Sequence, residues 1–187
     1  METEKDKKRY WKTLKSEYIF QDTWLTARKE SVQMPSGHVI EPYYLLEYSN
    51  WVNTIAITRE GLFVMVKQYR HGLKKVCYEL CAGMAEPSDA SPMDSAQREL
   101  LEETGFAGGE WSQYMVVSCN PSTHTNLNYC YLAIGVEKVD VQHLEDSEDI
   151  SVHLLTAQEV KQLLVENKIM QSMMAAPLWK YMYEHQI

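Results

Sequence analysis

Gly83-Met84-Ala85-Glu86-Pro87-Ser88-Asp89-Ala90-Ser91-Pro92-Met93-Asp94-Ser95-Ala96-Gln97-Arg98-Glu99-Leu100-Leu101-Glu102-Glu103-Thr104-Gly105-Phe106 reads as a loop entering a helix, with three carboxylates crowded near its end. At about 100° of rotation per residue, Glu99, Glu102 and Glu103 share one arc of roughly 100°. No basic residue falls inside that arc. Like charges at these spacings destabilise an isolated helix by about a few tenths of a kcal/mol per pair, so the arrangement needs a reason beyond helix formation. A hard divalent cation supplies one, because Mg²⁺ takes oxygen ligands and is usually shared between carboxylates and substrate phosphates. A solvated acidic face is the competing reading, and the flanking residues decide against it.

The ends of the helix are written in the same stretch. Ser91, then Pro92, then Asp94 three positions after the serine read as an N-cap, a proline at the first helical position and a capping-box acid. Gly105 is a natural stop. Between them Met93, Ala96, Leu100 and Leu101 form an apolar face beside the carboxylate arc, so one side can be buried while the other looks into a cleft.

Gly83 and the run from Arg98 to Phe106 resemble the box of the Nudix hydrolase family: Gly, five residues, Glu, seven residues, Arg-Glu, an aliphatic residue, any residue, Glu-Glu, any residue, Gly and a bulky apolar residue. One spacing departs from it. Gly83 to Arg98 is one residue too long, so the first Glu of the box falls on Asp89 counted from the glycine and on Ala90 counted back from the arginine. In the family that Glu pairs with the arginine and supports the loop, which leaves Asp89 or Glu86 as substitutes here. Cys81-Ala82-Gly83 stands where many relatives have Pro-Ala-Gly.

The chain has 187 residues, 45% of them hydrophobic, enough for one compact domain with a small appended layer. Its net charge of −8 argues against a general nucleic-acid or anionic-membrane binder, which would need a basic surface. No apolar run reaches transmembrane length and the charged opening does not suit a signal peptide, so a cytoplasmic location is expected. Cys77, Cys81, Cys119 and Cys130 form no CxxC pair and read as buried free thiols.

In chain order, residues 1–9 alternate acids and lysines and should fray. Residues 10–50 read as an N-terminal antiparallel sheet, with strands at Glu17 to Gln21, Trp24 to Met34 and His38 to Tyr48 and a Pro35-Ser36-Gly37 turn. Exposed aromatics on that sheet would suit a homodimer. Residues 51–187 form the main domain, with strands at Trp51 to Thr58, Leu62 to Arg70, Tyr78 to Cys81, Gln113 to Cys119, Asn128 to Val136 and Ile150 to Leu155. Runs such as Leu62-Phe63-Val64-Met65-Val66 imply strands covered on both faces, hence an α/β/α sandwich around a mixed sheet. Two helices, Ala157 to Glu166 and about Gln171 to Glu184, close the chain, with Met170, Met173, Met174, Leu178 and Met182 spaced as core filler.

The resemblance implies metal ligation by Glu99, Glu102 and Glu103, with the Ala82 carbonyl as a further ligand, Mg²⁺ as the ion and Mn²⁺ as its substitute. Gly83, Arg98 and Gly105 support the box. In the branch that hydrolyses ADP-ribose and related nucleoside diphosphate sugars, a later glutamate-bearing loop supplies the general base, and Glu145-Asp146-Ser147-Glu148-Asp149 resembles it. Glu148 matches the metal-contacting glutamate and Asp146 stands where a catalytic glutamate would be, so the base is left open between them. Pro121, fifteen residues beyond Phe106, has the spacing of that branch. Val66-Lys67-Gln68-Tyr69-Arg70 resembles the strand whose arginine meets the phosphates, and Trp24 and Arg28 match the region that contacts the nucleotide. The activity so implied is cleavage of ADP-ribose to AMP and ribose 5-phosphate. GDP-mannose or another nucleotide sugar is the alternative substrate, and a non-catalytic ADP-ribose-binding module is the alternative class.

Overall fold

Gly37 takes a φ of 86° in the computed structural model, which describes residues 2–187, and that left-handed turn joins strands β2 (Thr26–Gln33) and β3 (Val39–Glu47). With β1 (Lys12–Gln21) they make a three-stranded antiparallel sheet in the order β1-β2-β3. Strand β1 begins five residues earlier than its apolar pattern suggests. Lys12 pairs with Gln33 and Thr13 with Val32, and a strand this exposed needs ladder hydrogen bonds more than alternating hydrophobicity. Residues 2–9 also depart from expectation, because Glu4–Lys7 form a short helix, α1, closed by a Thr3/Asp6 capping box. Met1, the first residue of the segment expected to fray, lies outside the described residues.

By its contacts the chain divides into Met1–Tyr48 with Asn120–Asn126, and Ser49–Cys119 with Leu127–Ile187. Residues 120–126 join the first unit through the edge of β3. The Leu46 N–H donates to the Thr123 carbonyl at 2.7 Å and the Thr125 N–H to the Leu46 carbonyl at 3.2 Å.

The second unit is a mixed sheet between helices. Strands β4 (Trp51–Thr58), β5 (Phe63–Arg70), β6 (Lys75–Met84), β7 (Phe106–Ala107), β8 (Glu110–Val117), β9 (Asn128–Lys138) and β10 (Ile150–Leu155) run in the order β10-β5-β6-β4-β9-β7, with β8 beside β9. Only the β4–β9 pair is parallel. Successive residues alternate between faces. Ile55, Ile57, Met65 and Leu80 pack against Val160 and Leu164 of α3 (Ala157–Val165) and Leu178 and Met182 of α4 (Ser172–Glu184). Ala56, Val64 and Cys81 pack with Leu100 of α2 (Pro92–Thr104) and with Phe106. The expected α/β/α sandwich is the observed one. Each fully buried leucine in it contributes roughly 2 kcal/mol of transfer free energy.

Two core assignments change. Met170 is half exposed, because it precedes the first turn of α4, whereas Met173, Met174 and Met182 are buried. Cys119 is exposed just beyond the end of β8, while Cys77, Cys81 and Cys130 are buried, and all four are free thiols. Among the described residues no helix is long and apolar enough to cross a membrane.

Candidate active site

Helix α2 starts and stops where its sequence dictates. Ser91 is in extended conformation and its hydroxyl accepts the Asp94 N–H at 3.3 Å, with Pro92 opening the helix. Gly105 closes it with φ 71°, and a Cβ there would lie 2.1 Å from the Asp140 carbonyl oxygen. The last four carbonyls of any helix need outside partners, and here each has one. Leu101 accepts from the Gly105 N–H at 2.7 Å, Glu102 from the His143 N–H at 2.8 Å, Glu103 from Gln142 Nε2 at 2.8 Å, and Thr104 from Lys138 Nζ at 2.6 Å. Gln142 also donates to the Ile150 carbonyl at 3.1 Å, so the segment leading to the acidic loop is tied to both the helix and β10. Sequence reasoning missed these ties, since no local pattern marks Gln142 or His143.

The carboxylates differ more than their shared arc suggests. Glu103 is only 3% exposed and lies on the buried face with Ala96 and Leu100, a place the apolar pattern gave to Leu101. Its Oε2 accepts the Ala82 N–H at 3.1 Å. Burial raises its pKa to about 7, the Cys81 thiol and the Ala82 N–H oppose the shift, and the charges of Glu99 and Glu148 add to it. Glu99 is likewise raised to about 7, first by burial, against the pull of Arg98 and with a further push from Glu102 and Glu148. The Glu99 carboxylate rests on Gly83, where an added Cβ would come within 2.1 Å of it, so a side chain at the head of the box would push that carboxylate out of place. Glu102 is more open and accepts from Arg98 Nη1 at 2.9 Å.

Arg98 corrects the picture of an arc free of basic groups. Its Cα lies outside the arc, yet its guanidinium reaches Glu99 at 3.1 Å as well as Glu102. Nη2 donates to Asp89 at 3.2 Å and to the Met84 carbonyl at 3.4 Å, with Glu86 farther off at 3.7 Å. Burial would pull the guanidinium pKa down, but the carboxylates around it push it up. Of the two substitutes for the missing box glutamate, Asp89 makes the hydrogen bond. A bond to the Ser95 hydroxyl, then one to Arg98, holds the Asp89 carboxyl below its usual range.

Arg70 is held by a residue the sequence reading did not single out. Its Nε and Nη2 donate to Glu79 on the adjacent strand at 2.9 and 2.6 Å, and Gln68 Nε2 donates to the same carboxylate at 3.2 Å. Glu79 is 2% exposed, while Arg70 remains part exposed. A single acid inside the apolar run Tyr78 to Cys81 was the available signal. Arg70 and Glu79 line a cavity of about 570 Å³ with Ala82, Gly83, Trp51 and Met174. In the acidic loop, Glu148 is half-buried, accepts the Glu145 N–H at 2.9 Å and bears electrostatically on Glu99 and Glu103. Asp146 is exposed.

Three predicted contacts fall in the first unit. Trp24 is 72% exposed in a turn where Asp22 accepts its N–H at 2.8 Å. Arg28 is held by Glu30 at 3.1 Å and Glu47 at 2.6 Å, and Pro121 is the second residue of the 120–126 segment. The other predicted residues belong to the second unit.

The donors of the acidic site are all oxygen and mostly anionic, which suits a hard divalent cation. Two carboxylates kept near pKa 7 by burial and mutual repulsion are what such an ion would relieve. Among the described residues no three His, Cys, Asp or Glu groups stand together at ligand spacing, consistent with Glu102 turned to Arg98 and Glu103 to the Ala82 N–H.

A helix-covered mixed sheet with this glycine-backed glutamate helix defines a Nudix-type hydrolase. The NUDIX domain model matches residues 50–176, and the model of the nucleoside diphosphate sugar hydrolase N-terminal domain matches residues 11–46. The chain belongs to the Nudix hydrolase family and, within it, resembles the ADP-ribose pyrophosphatase type. It is 31% identical to the methanol dehydrogenase activator of Bacillus methanolicus over 86% of each chain. It is 26% identical to the ADP-ribose pyrophosphatase of Bacillus subtilis (strain 168), over 84% of this chain and 85% of that one. A crystal structure of an ADP compounds hydrolase superposes with a TM-score of 0.77 at 16% identity, covering 94% and 95% of the two chains, and carries the likeness of fold.

Proposed function

We propose that this hydrolase cleaves the pyrophosphate bond of a nucleoside diphosphate sugar, ADP-ribose first, releasing AMP and ribose 5-phosphate. The observation that carries the reading is the packing of Glu99 and Glu103 beside Gly83 and Ala82, at a cavity that Arg70 also lines. Glu99, Glu102, Glu103 and Glu148, with the Ala82 carbonyl, would hold Mg²⁺, or Mn²⁺ in its place. When bound, the ion neutralises phosphate charge and lowers the pKa of a water. Glu79 orients Arg70 so that its remaining N–H groups point a planar, permanently charged fork at a phosphate. Arg98 and Asp89 keep the box loop against α2. Glu148 takes the proton of the attacking water. Its partial burial and its influence on Glu99 and Glu103 favour it over the exposed Asp146.

The reading includes a homodimer formed through the N-terminal sheet, where Tyr18, Ile19 and Phe20 are each about half exposed, and sedimentation at a monomer mass would refute that part. Four unpaired cysteines suit the cytoplasm. The deciding assay is nucleotide release with Mg²⁺ from ADP-ribose, GDP-mannose and other nucleotide sugars. AMP from ADP-ribose at the highest kcat/KM is expected, and GMP from GDP-mannose at a higher one would move the substrate. ADP-ribose binding by calorimetry with no product from any substrate would make the chain a sensor.

A further inference from the structure

Leu100 and Glu103, three residues apart on α2, share one face of the helix, and Cys81 of β6 packs against that face. The Ala82 N–H, one residue on, donates to Glu103 Oε2 at 3.1 Å. That bond brings the carboxylate beside the Cys81 side chain, and the thiol hydrogen-bonds to the same group. Cys81 is 1% exposed and Glu103 3%. A thiol enclosed in apolar surroundings keeps its proton, and toward an ionised carboxylate a protonated thiol can only donate.

This thiol differs from the other buried ones in what it meets. Cys130 Sγ, for comparison, lies 3.8 Å from the backbone carbonyl of Tyr131. Proline, which stands in place of Cys81 in the Pro-Ala-Gly step of many relatives, has no side-chain donor, so Cys81 adds one. The charges of Glu99 and Glu148 act against that of Glu103, and a carboxylate held by a single hydrogen bond is free to swing away from them. Donors on two successive residues of a strand fix its plane.

We propose that Cys81 is a positioning residue of the acidic site, its S–H acting with the Ala82 N–H to hold the Glu103 carboxylate in the orientation that receives a divalent cation. The inference rests on the metal-site reading and deepens it by one residue outside the ligand set. Groups that hydrogen-bond a ligating carboxylate are typically worth about 10–100-fold in metal affinity. A thiol is a weak donor, which puts the expected effect at the low end of that range. The competing role is plain filling of the cluster that Cys81 forms with Ala56, Val64, Leu100 and Phe106.

The test is Mn²⁺ binding to the metal-free full chain, read by electron paramagnetic resonance of the free ion, in wild type, Cys81→Ala and Cys81→Ser. Alanine fits the space without a donor, whereas serine keeps one at nearly the same size. Kd for Mn²⁺ should rise about tenfold in Cys81→Ala and return to within about twofold of wild type in Cys81→Ser. Equal affinity in all three, or an equal loss in both variants, is the result of a filler and overturns the proposal. The infrared S–H stretching region of wild type minus Glu103→Leu needs neither cysteine variant. One thiol band should move to higher frequency when the carboxylate is removed, and a flat difference overturns the hydrogen bond itself. Wild type that takes up no Mn²⁺ overturns the metal-site reading and this inference together, whereas equal uptake by wild type and Cys81→Ala overturns the inference alone.

Discussion

Helices α2 and α4 are each thirteen residues long and each face the same sheet, but they are finished differently. Helix α2 is closed at both ends, by Ser91 at one and by partners for all four terminal carbonyls at the other. Helix α4 begins at Gln171 with no side-chain cap and carries a proline in its interior. The difference follows from what each helix must hold still. Helix α2 carries Glu99 and Glu103 in contact with Gly83 and Ala82, where small shifts would break the arrangement, whereas α4 covers the sheet with Leu178 and Met182, whose packing tolerates a looser end.

The largest effect should come from the pinned helix. Glu103→Gln is nearly isosteric and keeps an acceptor for the Ala82 N–H, so circular dichroism should be unchanged while kcat drops by about a hundredfold or more. Wild-type turnover at saturating Mg²⁺ would remove Glu103 from the site. Next comes thermal stability with Mg²⁺, where binding to the folded state alone gives about 2.7 kcal/mol at a hundred times Kd. Scanning calorimetry should register that gain in wild type and lose it in Glu99→Gln/Glu103→Gln. Smaller still is Gln142→Leu, which leaves the Glu103 carbonyl unpaired and should cost about 1–2 kcal/mol in urea titration, with a matching fall in kcat as the Glu148 loop loosens. The finest discrimination compares two N-caps. Ser91→Ala should cost about 1 kcal/mol and Gln171→Ala less than about 0.5. Equal losses would erase the contrast between the helices.

Helix α2 was legible in the sequence because its instructions are local: a cap, a proline, an apolar face and a terminal glycine within fifteen residues. The two-sided burial of β4 and β5 was legible for the same reason, since an unbroken apolar run is read within one strand. What escaped is non-local. Nothing around Glu79 says that β5 will bring Arg70 to it, and Gln142 becomes a tie only once α2 and β10 lie beside it. Asn53 looked like one polar residue in a strand, because the Met173 carbonyl to which its Nδ2 donates stands more than a hundred residues away. The longer loop was read as open between Glu86 and Asp89, and folding selects Asp89 by bringing it 3.2 Å from Arg98.

The uneven exposure of the four thiols has a practical use. A maleimide dye offered to the native protein will couple at Cys119 and leave the three interior sulfurs untouched, giving a single-site fluorescent reporter without any mutagenesis. The fluorophore would sit next to Asn120, where the 120–126 segment begins, so its emission can follow that segment as nucleotides are titrated in.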